Sequence, residues 1–306
     1  MTSYAGVDLG ATHVRAQVTD ADGAPLGEER RDTPQSDGAA IERAVAATLR
    51  AACVDAGVGP ADVAAAGVGS MGPLDREAGA VVGPTNVPAE RVAVVVAVRR
   101  VVDCPVALRN DAVAAAVGER AFADAPPDLV YLTLSTGVGA GAVVDGHVLN
   151  GARGNAGEVG HFVVEPDGRP CGCGGRGHWE AYCSGESIPA VARDLARGET
   201  ALDLDDLDAA AVFAAAGDDP LADRVLDRVA TYNAIGVADL VHAFAPALVS
   251  VGGAVALHNE ALVLDPIRER LDRHLAVPAP DVRATPLGAD AGLRGAVACA
   301  MRIHKG

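Results

Sequence analysis

The fold is decided near the start of the chain by residues 4–30, YAGVDLGATHVRAQVTDADGAPLGEER. Runs rich in apolar and β-branched residues predict three strands at Tyr4–Leu9, His13–Thr19 and Pro25–Arg30. A glycine-containing turn separates the first two strands, and Asp22-Gly23 marks the second turn. These strands predict that the chain begins with a three-stranded antiparallel meander.

The same strand pattern returns after a break at residues 124–128. Strands are predicted at Leu129–Leu134, Gly139–Val144 and His147–Leu149, with Asp145-Gly146 in the position of a type I′ hairpin turn. The elements predicted elsewhere are helices at 37–56, 89–102, 110–121, 254–275 and 291–303 and strands at 63–69, 106–109 and 248–251. The two halves are therefore expected to be copies of one strand-rich α/β unit.

Charge limits the partners of this 306-residue chain, which has 41 acidic against 25 basic residues and a formal charge of −16. Such a surface repels phosphate backbones, so we expect no nucleic acid partner. The sole lysine is Lys305, and the remaining basic residues are arginine. The acidic excess indicates adaptation to concentrated salt, as in halophilic organisms, with GC-rich codon usage as the alternative explanation.

Three features of the sequence indicate the cellular location of the protein: its apolar runs, its N-terminus and its six cysteines. No run of eighteen residues is free of glycine, charge and turn signals, and the first strand begins almost at once without a basic leader. We therefore expect neither a membrane span nor secretion. The spread of the cysteines favours a cytoplasmic protein with one metal cluster over a disulfide framework.

Two glycine-containing turns can hold phosphate oxygens. The first comprises Asp8, Gly10 and Thr12 between the first two strands, and Asp8 can hold a hydrated Mg²⁺ there. Its counterpart in the second half is 135–141, STGVGAG, which includes Thr136 and Gly137. Two such turns are predicted to clamp a nucleotide between two domains. The sequence GVGSMG at 67–72 matches a dinucleotide fingerprint by accident, because no helix start follows it.

A carboxylate suited to acid–base chemistry lies in Asn110-Asp111, between a predicted strand and a predicted helix. Open α/β sheets place their ligands at such strand ends. There Asp111 can accept a proton from a substrate hydroxyl while Asn110 orients the same substrate. The alternative is a plain pair of helix-capping residues.

The loop at 150–185 contains His161, Cys171, Cys173 and His178 in the spacing H-x9-C-x-C-x4-H. Two thiolates and two imidazoles form a tetrahedral zinc set, and four protein ligands make such a site closed and structural. We expect zinc to rigidify this loop and thereby to position Glu158, His161 and Glu180.

Together these motifs resemble the ROK family of sugar kinases and repressors, a branch of the actin-like ATPase superfamily. The resemblance covers nearly the whole chain. The matching segments are Asp8-x-Gly10-x-Thr12, Asn110-Asp111, Gly137-x-Gly139-x-Gly141, Gly154-x-Ala-Gly-Glu158-Val-Gly-His161, Cys171-x-Cys173-Gly-x-x-Gly-x-x-Glu180, Pro246-x-x-Val-x-x-Gly252-Gly253 and Leu287-Gly-x-Asp-Ala-Gly292.

The resemblance implies an α/β fold of two actin-like, ribonuclease-H-like domains with a cleft between them and a zinc-bound loop in the second. The small domain would cover residues 1–117 together with a C-terminal helix at 290–306. The large domain would cover 118–289. A homodimer or a dimer of dimers is also implied.

The resemblance further implies the role of each site residue. Asp111 would be the general base toward the 6-hydroxyl of a sugar. The residues that would bind the other hydroxyls are Asn110, Glu158, His161 and Glu180. The residues that would surround ATP and Mg²⁺ are Asp8, Gly10, Thr12, Thr136, Gly137, Gly252 and Gly253. The zinc ligands would be His161, Cys171, Cys173 and His178, with His178 at a position where these kinases usually have cysteine.

An ATP-dependent hexokinase acting on glucose is the expected function. The alternatives are a kinase for N-acetylglucosamine, N-acetylmannosamine or fructose, and a phosphoryl donor such as ADP or polyphosphate. A sugar-sensing repressor of the same family would need a DNA-binding helix-turn-helix ahead of the first strand, where only Met1–Ser3 stand.

Overall fold

A computed structural model describes residues 2–84, 87–152, 154–198 and 200–305. The elements of the first half are β1 (Ser3–Leu9), β2 (His13–Thr19), β3 (Pro25–Asp32), α1 (Gly38–Asp55), β4 (Val63–Ser70), β5 (Leu74–Asp75), β6 (Ala80–Val82), β7 (Arg91–Val92), α2 (Val94–Arg99), β8 (Val106–Asn110), α3 (Asp111–Phe122), β9 (Leu129–Leu134), β10 (Val138–Val144) and β11 (His147–Val148). Those that follow are α4 (Glu180–Cys183), α5 (Ile188–Leu195), α6 (Ala209–Ala214), α7 (Pro220–Phe244), β12 (Leu248–Gly252), α8 (Ala254–His258), α9 (Glu260–Leu271), β13 (Asp281–Ala284) and α10 (Ala291–His304).

The chain divides into two compact units. The first contains residues 1–125, 147–156 and 290–306, and the second contains 126–146 and 157–289. In the first unit the sheet order is β3-β2-β1-β4-β8, with β1, β2 and β3 antiparallel and β4 parallel to both β1 and β8. The predicted opening meander is therefore confirmed.

The second unit repeats this topology in the order β10-β9-β12-β13. The pair β9 and β10 is antiparallel, and β12 is parallel to β9 and β13. The first unit has the same relations in β2-β1-β4-β8. The expectation that the two halves are copies of one α/β unit is confirmed at the level of strand order.

Glycines let the C-terminal helix α10 pack directly on the first unit's sheet. An added Cβ at Gly67 of β4 would lie 2.0 Å from the carbonyl oxygen of Ala296, and one at Gly6 of β1 would lie 2.6 Å from a methyl of Val297. Gly118 of α3 and Gly295 of α10 allow an equally close helix crossing. This packing carries Asp290, at the start of α10, to the sheet of the first unit.

In the second unit, one aromatic side chain anchors the long loop on helix α7. Trp179 is fully buried, its indole N–H donates to Oδ1 of Asn233 at 2.8 Å, and its ring lies over Gly236. Since Trp179 stands between His178 and Glu180, this anchor fixes the neighbouring predicted site residues.

Two predicted helices were wrong in part, and one strand was missed. The helix at 89–102 is only Val94–Arg99, because Arg91–Val92 pairs with β6 in a small sheet ordered β5-β6-β7. The helix at 254–275 breaks at Asn259 and ends at Leu271, and strand β13 was missed. Strands of two to four residues are too short to show alternation, which explains most of these errors.

Two other expectations are confirmed. Asp145 and Gly146 both have positive φ, as a type I′ turn requires. The fingerprint at 67–72 leads into the short hairpin β5–β6 and not into a helix. Among the described residues, no helix combines the length and the hydropathy needed to cross a membrane.

Candidate functional site

The turn between β1 and β2 contains Gly10, Ala11 and Thr12. The N–H of Gly10 donates to the carbonyl of His13 at 3.0 Å and closes the turn. Within the described ranges, the N–H groups of Ala11 and Thr12 have no protein acceptor, and the Thr12 side chain is exposed. Two unpaired N–H groups beside a hydroxyl can receive the oxygens of an anion.

The turn between β9 and β10 repeats this arrangement at residues 135–137. The N–H of Ser135 donates to the carbonyl of Gly137 at 2.9 Å. In the part of the chain that the structure describes, no protein group accepts from the N–H of Thr136 or Gly137, and Thr136 is exposed. Both predicted turns thus present the same set of donors.

A carboxylate stands beside each turn. Glu180 accepts the N–H of Val138 through Oε2 at 2.9 Å, and an added Cβ at Gly137 would lie 2.6 Å from that oxygen. Asp8, at the end of β1, lies against the backbone of Gly292, where an added Cβ would be 3.2 Å from its Oδ1. Glycine at 137 and 292 therefore lets each carboxylate pack directly against the backbone.

In the first unit, Asp8 has a strongly raised pKa. Burial and the charge of Asp111 raise the pKa of Asp8 from 3.8 to about 7, with Arg15 opposing and Asp290 reinforcing the rise. Arg15 is itself paired with Asp290 and with Glu28, the latter at 2.9 Å. Such an excess of carboxylates fits a divalent cation with oxygen ligands.

Asn110 and Asp111 lie where β8 ends and α3 begins, as predicted. Oδ1 of Asn110 accepts the N–H groups of Ala112 at 3.0 Å and Val113 at 3.4 Å, so Asn110 is the N-cap of α3. Oδ1 of Asp111 accepts the N–H of Ala112 at 2.8 Å. The capping interpretation is therefore correct for Asn110, whose side-chain nitrogen has no hydrogen-bond acceptor among the described residues.

Glu158, His161 and Glu180 all belong to the second unit. Desolvation raises the pKa of Glu158, His161 lowers it and Glu180 raises it. His161 and Glu180 therefore both lie within electrostatic reach of Glu158. A carboxylate whose ionised form is disfavoured gains from a hydrogen-bond donor such as a hydroxyl.

The four predicted zinc ligands converge. The ligand atoms of His161, Cys171, Cys173 and His178 all lie within 4.8 Å of one another. Sγ of Cys173 is 3.2 Å from Nδ1 of His178, and Sγ of Cys171 is 3.9 Å from Nδ1 of His161. Two sulfurs and two imidazoles in one cluster fit a tetrahedral zinc ion. The surrounding backbone supports this spacing, because Val163 and His178 form an isolated β-bridge.

Gly252 and Gly253 follow strand β12 and have a packing role. An added Cβ at Gly252 would lie 2.2 Å from the Tyr131 hydroxyl, and one at Gly253 would lie 2.3 Å from the carbonyl of Leu134. Gly253 also has φ of +87°. Local packing and backbone conformation therefore account for both glycines before any ligand is considered.

The comparison with known families agrees with this geometry. The sequence pattern of the family described as "ROK family" matches residues 4–303, nearly the entire chain. The chain belongs to the ROK family.

Relatives of this ROK chain include enzymes and solved structures that match end to end. A glucokinase of Aeropyrum pernix is 38% identical over 99% of this chain and 98% of its own length. A ROK hexokinase from Thermus thermophilus superposes with a TM-score of 0.85 at 35% identity, with all of both chains covered. A ROK glucokinase from Streptomyces griseus, solved with glucose and AMPPNP, has a TM-score of 0.82 at 33% identity and covers 98% and 99% of the two chains.

Residues outside the predicted set also contact this ROK site. Thr33 and Gln35 donate to carbonyls of the first turn, and Arg15 with Asp290 adjusts the charge around Asp8. A signal existed for Asp290, which stands in the segment Leu287–Gly292 that resembles the family. No sequence signal pointed to Thr33 or Gln35, because both residues follow an ordinary solvent-exposed strand.

Proposed function

We propose that this protein is an ATP-dependent hexokinase that phosphorylates the 6-hydroxyl of glucose. The observation that carries the proposal is the pair of matching turns, each with an exposed threonine and two N–H groups that have no acceptor among the described residues. Kinases need such preorganised donors to bind and stabilise phosphoryl groups. The end-to-end similarity to glucokinases of Aeropyrum pernix and Streptomyces griseus supports glucose as the acceptor.

We assign the phosphates of ATP to the two turns. Gly10 and Thr12 would bind them in the first unit, and Thr136 and Gly137 in the second. Gly252 and Gly253 would lie against the nucleoside. Asp8 would hold a hydrated Mg²⁺, whose chemistry is to neutralise charge on the transferring phosphoryl group. With a single lysine at position 305, backbone N–H groups and arginines are the local positive groups available.

Asp111 would be the general base. Its carboxylate removes the proton from the 6-hydroxyl as that oxygen attacks the γ-phosphorus, and the bond from the γ-phosphorus to the bridging oxygen breaks to release ADP. Its place at the first residue of α3 suits this role, because the helix start holds the carboxylate in one orientation through the Ala112 N–H.

The sugar is assigned to Asn110 in the first unit and to Glu158, His161 and Glu180 in the second. Carboxylate, amide and imidazole groups distinguish hydroxyl positions, which apolar contacts cannot do. The second oxygen of Glu180 is available for a hydroxyl, since Oε2 holds the Val138 N–H. A structural zinc on His161, Cys171, Cys173 and His178 would hold this loop in place.

Substitution of Asp111 tests the base assignment. Asp111→Asn keeps a side-chain oxygen for the Ala112 N–H, so the helix start and glucose binding should persist. Turnover should fall by about 10²–10⁴-fold, the usual contribution of a positioned general base. The matched control is Asp37→Asn at the N-cap of α1, where the side chain accepts the N–H of Ala40 at 2.7 Å. Turnover of Asp111→Asn within twofold of that control would refute the assignment.

Acceptor and donor are tested by one assay. ADP release is measured with glucose, N-acetylglucosamine, N-acetylmannosamine and fructose, and the donors ADP and polyphosphate are compared with ATP by formation of sugar phosphate. We expect glucose with ATP to give the highest kcat/KM. A higher value for another sugar or donor would replace the assignment with that pair.

We also propose a cytoplasmic location for this protein. None of the six cysteines, all of which the structure describes, forms a disulfide, which supports a reducing, cytoplasmic compartment. We propose a homodimer or a dimer of dimers, as the family resemblance implies. Light scattering during size-exclusion chromatography tests this state, and a monomer mass near 30.7 kDa would contradict it.

A further inference from the structure

The carbonyl groups of the first phosphate turn are all bound by one short segment after β3. The Thr33 hydroxyl donates to the carbonyl of Gly10 at 2.8 Å, and the Thr33 N–H donates to that of Thr12 at 2.8 Å. The side-chain amide of Gln35 donates to the carbonyl of Ala11 at 2.9 Å. Three consecutive carbonyls are therefore turned toward residues 33–35.

Binding these carbonyls also sets the direction of the N–H groups. In a planar trans peptide, the C=O of one residue and the N–H of the next point in opposite directions. The bond from Thr33 to Gly10 thus aims the N–H of Ala11, and the bond from Gln35 to Ala11 aims the N–H of Thr12. These are the two N–H groups of the turn that have no acceptor among the described residues.

The segment itself is held firmly enough to act in this way. The Thr33 side chain is buried, with 3% of the residue exposed. The amide of Gln35 donates a second hydrogen bond to the carbonyl of Thr33 at 3.1 Å, which joins the two residues. The β2–β3 register, with His13 opposite Asp32, brings the segment alongside the turn.

We infer that Thr33 and Gln35 are positioning residues for the phosphoryl donor: they orient the N–H groups of Ala11 and Thr12 toward its phosphates. This inference rests on the proposed kinase function. It goes beyond that function because neither residue is offered as a contact of the donor. Their effect should therefore fall on ATP and not on the sugar.

The test compares Thr33→Val with a matched variant in the same unit. Thr48 is also fully buried, and its hydroxyl donates to a carbonyl, that of Ala44, at 2.8 Å. Thr48→Val therefore removes the same kind of bond from helix α1, away from the turn. KM for ATP, KM for glucose, AMPPNP affinity by titration calorimetry, and Tm are measured for both variants and for Thr33→Ser.

Loss of one orienting hydrogen bond should raise KM for ATP and the Kd for AMPPNP about tenfold in Thr33→Val. KM for glucose should stay within twofold. Thr33→Ser, which keeps the hydroxyl, should restore nucleotide binding, and Thr48→Val should lower Tm without changing either KM. Gln35→Met, at an exposed position where folding is not at risk, should raise KM for ATP about threefold to fivefold.

The inference is overturned if KM for ATP and the Kd for AMPPNP are the same in Thr33→Val and Thr48→Val. It is also overturned if KM for ATP and KM for glucose rise equally in Thr33→Val, or if Thr33→Ser does not restore nucleotide binding. If Thr33→Val does not fold, an unchanged KM for ATP in Gln35→Met overturns it. Wild-type protein that cannot phosphorylate glucose with ATP refutes the proposed function itself, and the inference with it.

Discussion

The two turns that we propose to bind phosphate, residues 10–12 and 135–137, present the same groups, yet they are oriented by different means. In the first turn, two of the three carbonyls are bound by side chains, those of Thr33 and Gln35. In the second turn, all three carbonyls accept backbone N–H groups, and that of Gly137 accepts from Ser135 at 2.9 Å. Gly185 donates to Ser135 at 2.7 Å, and Glu186 donates to Thr136 at 3.4 Å.

The difference shows that the peptide planes of such a turn can be held either by side chains or by the backbone. Its practical consequence is unequal sensitivity to mutation. A point substitution can remove the side-chain restraint of the first turn, whereas the backbone restraint of the second survives most substitutions. Glu180, which accepts the Val138 N–H, is the side chain through which the second turn can be disturbed.

The largest expected effect comes from Asp8, the carboxylate of the first turn. Asp8→Asn should lower kcat at least 100-fold, because the amide holds a cation much less well than a carboxylate. The same change should stabilise the cation-free protein. The folded pKa of Asp8, about 7, exceeds the unfolded value of 3.8, so ionisation of Asp8 costs stability as pH rises from 4 to 7.

The measurement is Tm in EDTA from pH 5 to pH 8. The excess of the Asp8→Asn Tm over that of wild type should widen with pH and reach about 3 °C or more at pH 8. Asp37→Asn is the control and should show no such widening. An excess that is constant or shrinks with pH would contradict the electrostatic account.

A smaller effect is expected at Glu180, where two variants separate its hydrogen bond to the Val138 N–H from its proposed contact with the sugar. Glu180→Gln retains an oxygen for the Val138 N–H but loses the charge, so KM for ATP should change less than threefold while KM for glucose rises about tenfold. Glu180→Ala loses both contacts, and both KM values should rise. Equal KM for ATP in the two variants would show that the Val138 bond does not orient the second turn.

The Cys/His cluster lies in the second unit together with the second turn, so loss of zinc should affect that turn and not the first. Cys173 is exposed, so Cys173→Ser removes a proposed zinc ligand without a packing cost. Zinc content by mass spectrometry should fall from one per chain to about a tenth of that, and Tm should fall by about 2–4 °C. Cys104→Ser, outside the cluster, should retain zinc. Full zinc in Cys173→Ser would exclude this residue as a ligand.

Salt is expected to affect the two turns almost equally, because it acts on the whole chain, which carries a formal charge of −16. Screening of carboxylate repulsion should raise Tm and activity as KCl increases into the molar range. Full activity and unchanged circular dichroism at low salt would instead favour codon usage as the origin of the composition.

Features that depend on neighbouring residues were predictable from the sequence. The opening meander, the Asp145-Gly146 turn and the position of Asp111 at a helix start follow from local patterns and are present in the structure. The Cys/His cluster was also predicted, because its four residues lie within one loop and the loop needs only to close on itself.

Contacts over long sequence separations were not predictable in the same way. Asp290 reaches the surroundings of Asp8 because helix α10 packs on β1 and β4 through glycine, and Thr33 reaches Gly10 because β3 pairs with β2. A two-residue strand such as Arg91–Val92 likewise exists only through its partner β6. No local pattern reports such pairings.

The sequence by itself determined the α/β architecture, its duplication and the residue types of the site, because hydrophobic period, turn residues and ligand spacing are properties of short segments. The tertiary structure decided how those residues are charged and oriented. Burial beside Asp111 raises the pKa of Asp8, and the bonds from Thr33 and Gln35 aim the N–H groups of the first turn. Solvation and peptide orientation depend on which distant segments pack together, and that is set only when the chain folds.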